Sequence, residues 1–133
     1  MARIWHRLAA LAALFIGVMA VVAGAPVLLG RHPGWHVIGW VPAYNLTMGF
    51  VSALVTSVLL WLGRPLGRVL AVLTLLAHTG VLVFLVTVQG DTVATDTLRA
   101  MVTRILVWVG ILVLLGVQHL VDARREKSLV NAA

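Results

Sequence analysis

Residues 69–88 read VLAVLTLLAHTGVLVFLVTV, twenty consecutive positions without an Asp, Glu, Lys or Arg. A helix that crosses the hydrocarbon of a bilayer needs about 20 predominantly apolar residues. A membrane β-strand would alternate apolar and polar side chains over about ten positions, and this run does not alternate. Three more uncharged runs flank it, Leu8–Leu29 and Val41–Leu62 with 22 residues each and Ile105–Val121 with 17. The last is lengthened toward its start by Thr97–Met101, with Asp96 as the expected N-cap, to give a span of 97–121. The four uncharged runs hold 81 residues and none of the 14 charged ones. The sequence therefore predicts an all-α, integral membrane, antiparallel four-helix bundle formed by a single domain over residues 1–133.

Composition agrees. Hydrophobic residues make up 62% of the 133 and charged ones 11%, against roughly 45–50% and about 25% in soluble domains. A soluble fold of this length buries only about two thirds of its surface, which would leave the excess apolar side chains facing water. With no cysteine, disulfides, thiolate metal sites and cysteine nucleophiles are excluded. No internal repeat or low-complexity tract divides the chain.

The connections, 30–40, 63–68 and 89–96, are short and contain glycine, as expected between neighbouring antiparallel helices. The net charge of +6 is read as a topology signal. Arg3, Arg7, Arg64, Arg68, Arg124, Arg125 and Lys127 fall on one expected face, against Arg31, Arg99 and Arg104 on the other. The positive-inside rule then puts both termini and the middle connection in the cytoplasm, with residues 122–133 as a basic cytoplasmic tail. Trp35, Trp40 and Tyr44 mark the outer interface, Trp5 and Trp61 the inner one. Arg3, Arg7, the first apolar run and Ala23-Gly24-Ala25 also imitate a secretory signal, but Pro26 directly after that triplet and the length of the run favour a retained span.

In lipid, helices associate through small residues and a few hydrogen bonds. One face of the first span offers Ala13, Gly17, Ala20 and Gly24, and one face of the second Asn45, Gly49, Ser52 and Thr56. The third offers Ala71, Thr74, His78 and Leu85, continued by Gln89, and the fourth Arg104, Trp108, Ile111, Leu115 and Gln118. These stripes predict a mildly polar interior with Leu, Val and Phe outside. The simplest role for Ser52, Thr56, Thr74 and Thr79 is bonding to backbone carbonyls.

Within this interior, Arg104 stands out. It lies one to two turns inside its helix and requires partners, which Asp91, Asp96, Gln89, Asn45 and Tyr44 of the same outer layer would supply. Two readings stay open: an arginine reaching lipid phosphates, or a pocket for an anion, a carboxylate or a quinone-like headgroup. His78, midway along its span, is either a hydrogen-bonded core histidine or a ligand or proton site. His119 lies near the other end of its own span, so a haem clamped between these two would need them to make up a depth mismatch of roughly 10 Å. His32 and His36 have metal-like spacing, but Pro33-Gly34 between them breaks the helix that would align them. No metal or cofactor site is expected.

The stretch Thr97-Leu98-Arg99-Ala100-Met101-Val102-Thr103-Arg104-Ile105-Leu106-Val107-Trp108, with Tyr44-Asn45 followed by Gly49, resembles a group of small bacterial four-helix membrane proteins. They share a T-x-x-A-M-x-x-R-x-x-V-W pattern that opens the fourth helix. The resemblance implies this topology in a bacterial inner membrane and draws attention to Asn45, Met101, Arg104 and Trp108; the group brings no activity with it.

Several functions are disfavoured. The spans hold no Asp or Glu, so the proton-coupled carboxylate of small multidrug exporters is missing, and no nucleotide loop, GxSxG or HExxH occurs. An enzyme is not expected, nor is nucleic-acid binding. The expected partners are the lipid bilayer and other membrane subunits or further copies of the chain. The leading expectation is an accessory or homo-oligomeric subunit that binds a small polar group or lipid near Asn45 and Arg104. The alternatives are an oligomeric transporter or channel using His78 and a quinone or haem redox subunit.

Overall fold

A computed structural model describes residues 4–131 of the chain. Arg3 and the last two residues of the expected tail lie outside the described residues. Four long helices are present: α1 (Ile4–Leu28), α2 (Val41–Trp61), α3 (Pro65–Val88) and α4 (Thr95–Asn131), and each is long and apolar enough to cross a membrane. No strand occurs among the described residues.

The helix ends follow from local chemistry. α1 and α2 both stop in the same hydrogen-bonded turn. The N–H of Arg31 reaches the Pro26 carbonyl at 3.0 Å and that of Gly30 the Val27 carbonyl at 3.1 Å, while Arg64 and Gly63 repeat the pattern on Leu59 and Leu60 at 2.9 and 3.0 Å. Such a turn needs a left-handed residue after the helix, which glycine adopts without penalty. Gly30 and Gly63 have φ of 86° and 66°. Pro65 then starts α3, where its missing N–H costs nothing.

Three boundaries depart from expectation. α1 is already helical at Ile4, ahead of Leu8, which adds Trp5, His6 and Arg7 to it. α4 starts at Thr95, so Asp96 sits inside the first turn instead of capping it. There its charge still meets the positive end of the helix dipole. α4 also runs on to Asn131, through most of the stretch read as a tail, because residues 122–131 contain neither Gly nor Pro to end it.

A fourth difference lies inside α2, where Val51–Thr56 widens into a π-helical turn. The N–H of Ser57 reaches back five residues to the Ser52 carbonyl. The Ala53 carbonyl thereby loses its ordinary partner and accepts the Ser57 hydroxyl instead. The wide turn brings Ala53 onto the packed face beside Ser52 and Thr56.

α1 packs along α2 and also against α4, and α3 packs on α4 and on the second half of α2. The α1–α2 contact is made backbone to backbone. A Cβ on Gly17 would stand 2.6 Å from the Ala53 nitrogen and 2.8 Å from the Gly49 carbonyl oxygen, and one on Gly49 would stand 2.8 Å from the Gly17 carbonyl oxygen. All the small residues expected on the inner stripe of α1 are buried, as are Arg104, Trp108, Ile111, Leu115 and Gln118 of α4. One apolar cluster sets Trp108, Ile111, Leu115 and Leu60 against Ala9, Ala10, Ala13, Ile16 and Ala71, the alanines leaving room for the indole. A second, smaller cluster joins Val41, Leu85 and Met101 at the other end. Phe15, Phe50, Phe84 and most Leu and Val side chains of the spans face outward.

Overpacking a tight contact costs about 1–3 kcal/mol. Gly17→Val is expected to lower the thermal midpoint of the detergent-solubilised protein by at least that equivalent. Gly110→Val, at a site where a Cβ meets nothing within 4 Å, serves as the control and is expected to leave the midpoint nearly unchanged.

Candidate binding site around Arg104

α4 begins where the Ala94 carbonyl accepts the N–H groups of Thr97 and Leu98 at 3.0 and 3.3 Å. Arg104 stands nine residues into the helix, about 13 Å along its axis, and is 5% exposed. Helical side chains lean toward the N-terminus. The guanidinium follows this rule, with Nη1 at 3.9 Å from the sulfur of Met101, one turn earlier.

The same nitrogen donates to Asn45 Oδ1 at 2.5 Å, which ties α4 to α2. Asn45 can come this far into the bundle because α1 opposes it with Gly24, where a Cβ would lie 3.2 Å from Asn45 Cβ and 2.7 Å from the Pro42 carbonyl oxygen. The expected pairing of Arg104 with Asn45 is therefore present. The expected acidic contribution is not, since neither Asp91 nor Asp96 forms an ion pair with Arg104 among the described residues, and both carboxylates are exposed. The Gln89 side chain forms no hydrogen bond with Arg104 among the described residues, and its backbone carbonyl accepts the N–H groups of Thr92 and Val93 in the turn before α4. Burial of a guanidinium with one neutral oxygen partner leaves most of its five donors unused.

Arg104 lines a cavity of about 100 Å³. Its walls come from α1 (Ala23, Val27), the 29–40 connection (Pro33, Trp35, Val37), the start of α2 (Val41, Pro42, Asn45) and the start of α4 (Asp96, Thr97, Ala100, Met101, Arg104). The volume corresponds to roughly three water molecules of liquid. A carboxylate or phosphate oxygen group is the matching size and charge for the guanidinium fork.

Tyr44 and His78 form a second tie. The Tyr44 hydroxyl lies 2.6 Å from His78 Nδ1, and the rings meet edge to face at 5.6 Å. By sequence these residues belong to different depths, Tyr44 near the surface and His78 at the centre. The stagger of the helices reconciles them, since Val41 shares one buried cluster with Leu85, a turn inside the end of α3. From that level His78 is about 10 Å down α3 and Tyr44 about 4.5 Å down α2, a gap the phenol spans. Trp40 completes an aromatic layer above, edge-on to Tyr44 at 6.2 Å and to Phe84 at 6.0 Å.

The remaining candidates separate from this site. Trp108 lies one turn beyond Arg104, fully buried in the apolar cluster, and its indole N–H has no hydrogen-bond partner among the described residues. It supports the floor beneath Arg104 and does not line the cavity. His32 and His36 are exposed in the 29–40 connection, and no three His, Asp or Glu side chains come together as metal ligands among the described residues. His119 faces out of the bundle. His6, by contrast, is buried at the far end of the bundle, with Arg68 Nη2 donating to its Nε2 at 3.5 Å. Its place on the small-residue stripe, ahead of Ala9, Ala13 and Gly17, is the sequence signal that points to it. Nearby, Arg7 lies over the Trp61 ring at 5.4 Å, and on α4 Gln118 Nε2 donates to Asp122 at 2.9 Å. No family model, curated protein or solved structure matches the chain.

The Arg104–Asn45 tie can be weighed by a double-mutant cycle. Arg104→Leu alone leaves the Asn45 amide without its donor and is expected to cost about 1–3 kcal/mol. Replacing both with Leu is expected to recover most of that loss, since an apolar pair substitutes well for a buried polar one. Denaturant or thermal unfolding in detergent gives both values.

Proposed function

We propose that this chain is a multi-pass protein of a bacterial inner membrane, acting as an accessory or homo-oligomeric subunit that holds a small anionic group on Arg104. The observation that supports this reading most strongly is the buried guanidinium, hydrogen-bonded to the neutral Asn45 and lining a cavity of about 100 Å³. A stranded cation in a low-dielectric interior is costly, and an incoming carboxylate or phosphate relieves that cost.

The same reading takes the helices as antiparallel, up-down-up-down, with both termini cytoplasmic. Supporting it are the order of contacts along α1 and α2, from Gly24 beside Pro42 to Arg7 over Trp61, and the basic residues gathered at the Arg7, Arg64 and Arg68 end. Membership of the bacterial four-helix group rests on the Thr97–Trp108 pattern. A conduction path past His78 within one bundle is less well supported, because Leu60, Trp108 and Ile111 fill the interior beyond it. A haem held by His78 and His119 is less well supported still, one ring facing in and the other out.

Native mass spectrometry of the protein purified in mild detergent tests the reading. The wild type is expected to retain a bound anionic component, free or lipid, that Arg104→Gln releases while leaving the oligomeric state intact. Identical spectra for the two proteins would overturn it.

A further inference from the structure

The Arg104 cavity carries both signs of charge. Arg104 forms its floor and Asp96 its rim, and both line the same space. They stand eight residues apart on one face of α4, about 12 Å along the helix axis. The guanidinium leans back toward Asp96, as its contact with Met101 shows, and because the aspartate leaning the same way is much shorter, the interval between the charges is less than that rise. Asp96 is exposed and forms no ion pair among the described residues.

A simple anion would gain from Arg104 and lose against Asp96. A ligand with a positive group at its outer end would gain from both. Trp35 stands in the same wall, half exposed, and an indole face attracts an ammonium. Two charge-assisted contacts of about 3 Å each leave a few ångströms between the ligand's own charges, the separation found in phosphoethanolamine. Ala23, Val27 and Val37 add an apolar side to the wall, as suits a group that enters from the lipid.

We propose that this cavity takes a zwitterion, its phosphate or carboxylate on Arg104 and its ammonium between Asp96 and Trp35, with the aminophospholipid headgroup as the matching chemistry. The inference rests on the reading of Arg104 as an anion site, and the experiment separates the two. The full chain in detergent is titrated with phosphatidylethanolamine and phosphatidylglycerol of the same acyl chains, and lipid-bound states are counted by native mass spectrometry. Wild type is expected to prefer phosphatidylethanolamine about tenfold, a difference that one discriminating charge contact supplies. Asp96→Asn is expected to bring the two lipids to within about twofold by strengthening phosphatidylglycerol and weakening phosphatidylethanolamine. Arg104→Gln is expected to weaken both.

A preference that survives Asp96→Asn, or no preference in the wild type, overturns the zwitterion while leaving the anion site standing if Arg104→Gln still weakens both lipids. Binding of both lipids unaffected by Arg104→Gln overturns the anion site itself. Free glycerophosphoethanolamine distinguishes the sources: displacement of the lipid at comparable concentration supports a free zwitterion as ligand, and resistance to displacement together with the lipid preference supports the membrane lipid.

Discussion

Between Gly17 and Gly49 the backbones of α1 and α2 touch with no side chain between them. In an apolar solvent no hydrophobic force drives helices together, so association depends on how closely two surfaces fit. Two glycines at the crossing let the helices approach until carbonyl oxygens stand where Cβ atoms would be. The rest of the bundle depends on that approach. α2 rotates about the contact so that Asn45 enters the interior at one end and Leu60 at the other. The π turn at Val51–Thr56 keeps Ala53 on the crossing while returning Ser57 and Leu60 to the same face.

Around this contact the four helices form a ring in which α2 faces α4 and α1 faces α3 across the diagonals. Each diagonal carries one polar tie. Arg104 to Asn45 joins α4 to α2 at one end, and Arg68 to His6 joins α3 to α1 at the other. The apolar cluster around Trp108 separates them. Interhelical hydrogen bonds in membranes are worth about 0.6–2 kcal/mol, too little to assemble four helices but enough to select one rotation and register from many of similar packing energy. Glycines and alanines provide closeness that is tolerant of sliding; the ties remove the tolerance.

This division explains what could be read from the sequence. The buried faces of all four helices were legible because small and polar residues recur at helical spacing on otherwise Leu- and Val-rich segments, and Arg104 with Asn45 was legible because a buried guanidinium must find an acceptor. The contact of His78 with Tyr44 was not, since spacing within a helix says nothing about stagger between helices. That stagger brings Val41 into one cluster with Leu85 and Met101, at the end of a twelve-residue connection without helix or strand. The π turn was equally hidden, because no residue type demands one: Ser57 tolerates it by satisfying the Ala53 carbonyl. The acidic residues were misjudged for a related reason. Asp91 and Asp96 are both exposed, Asp96 about 12 Å along the helix axis from Arg104, and a carboxylate at the rim gains more from water than from a buried pair.

That preference leaves Arg104 a buried cation with no carboxylate partner among the described residues. Stability alone gives little reason to keep Arg104 and Asn45 as a polar pair, since well-packed hydrophobic side chains commonly equal or exceed such pairs in this role. The surroundings are nonetheless built to hold it. Gly24 admits Asn45, Met101 supports Nη1 from the turn above and Trp108 closes the space below. Residues that position a charge without neutralising it leave its field directed at the cavity, where the α4 N-terminus adds to it. An anionic group that enters meets donors already oriented, so little ordering is needed when it binds. Its binding free energy then adds to the stability of the bundle by mass action, which couples occupancy of the cavity to the contact between α2 and α4.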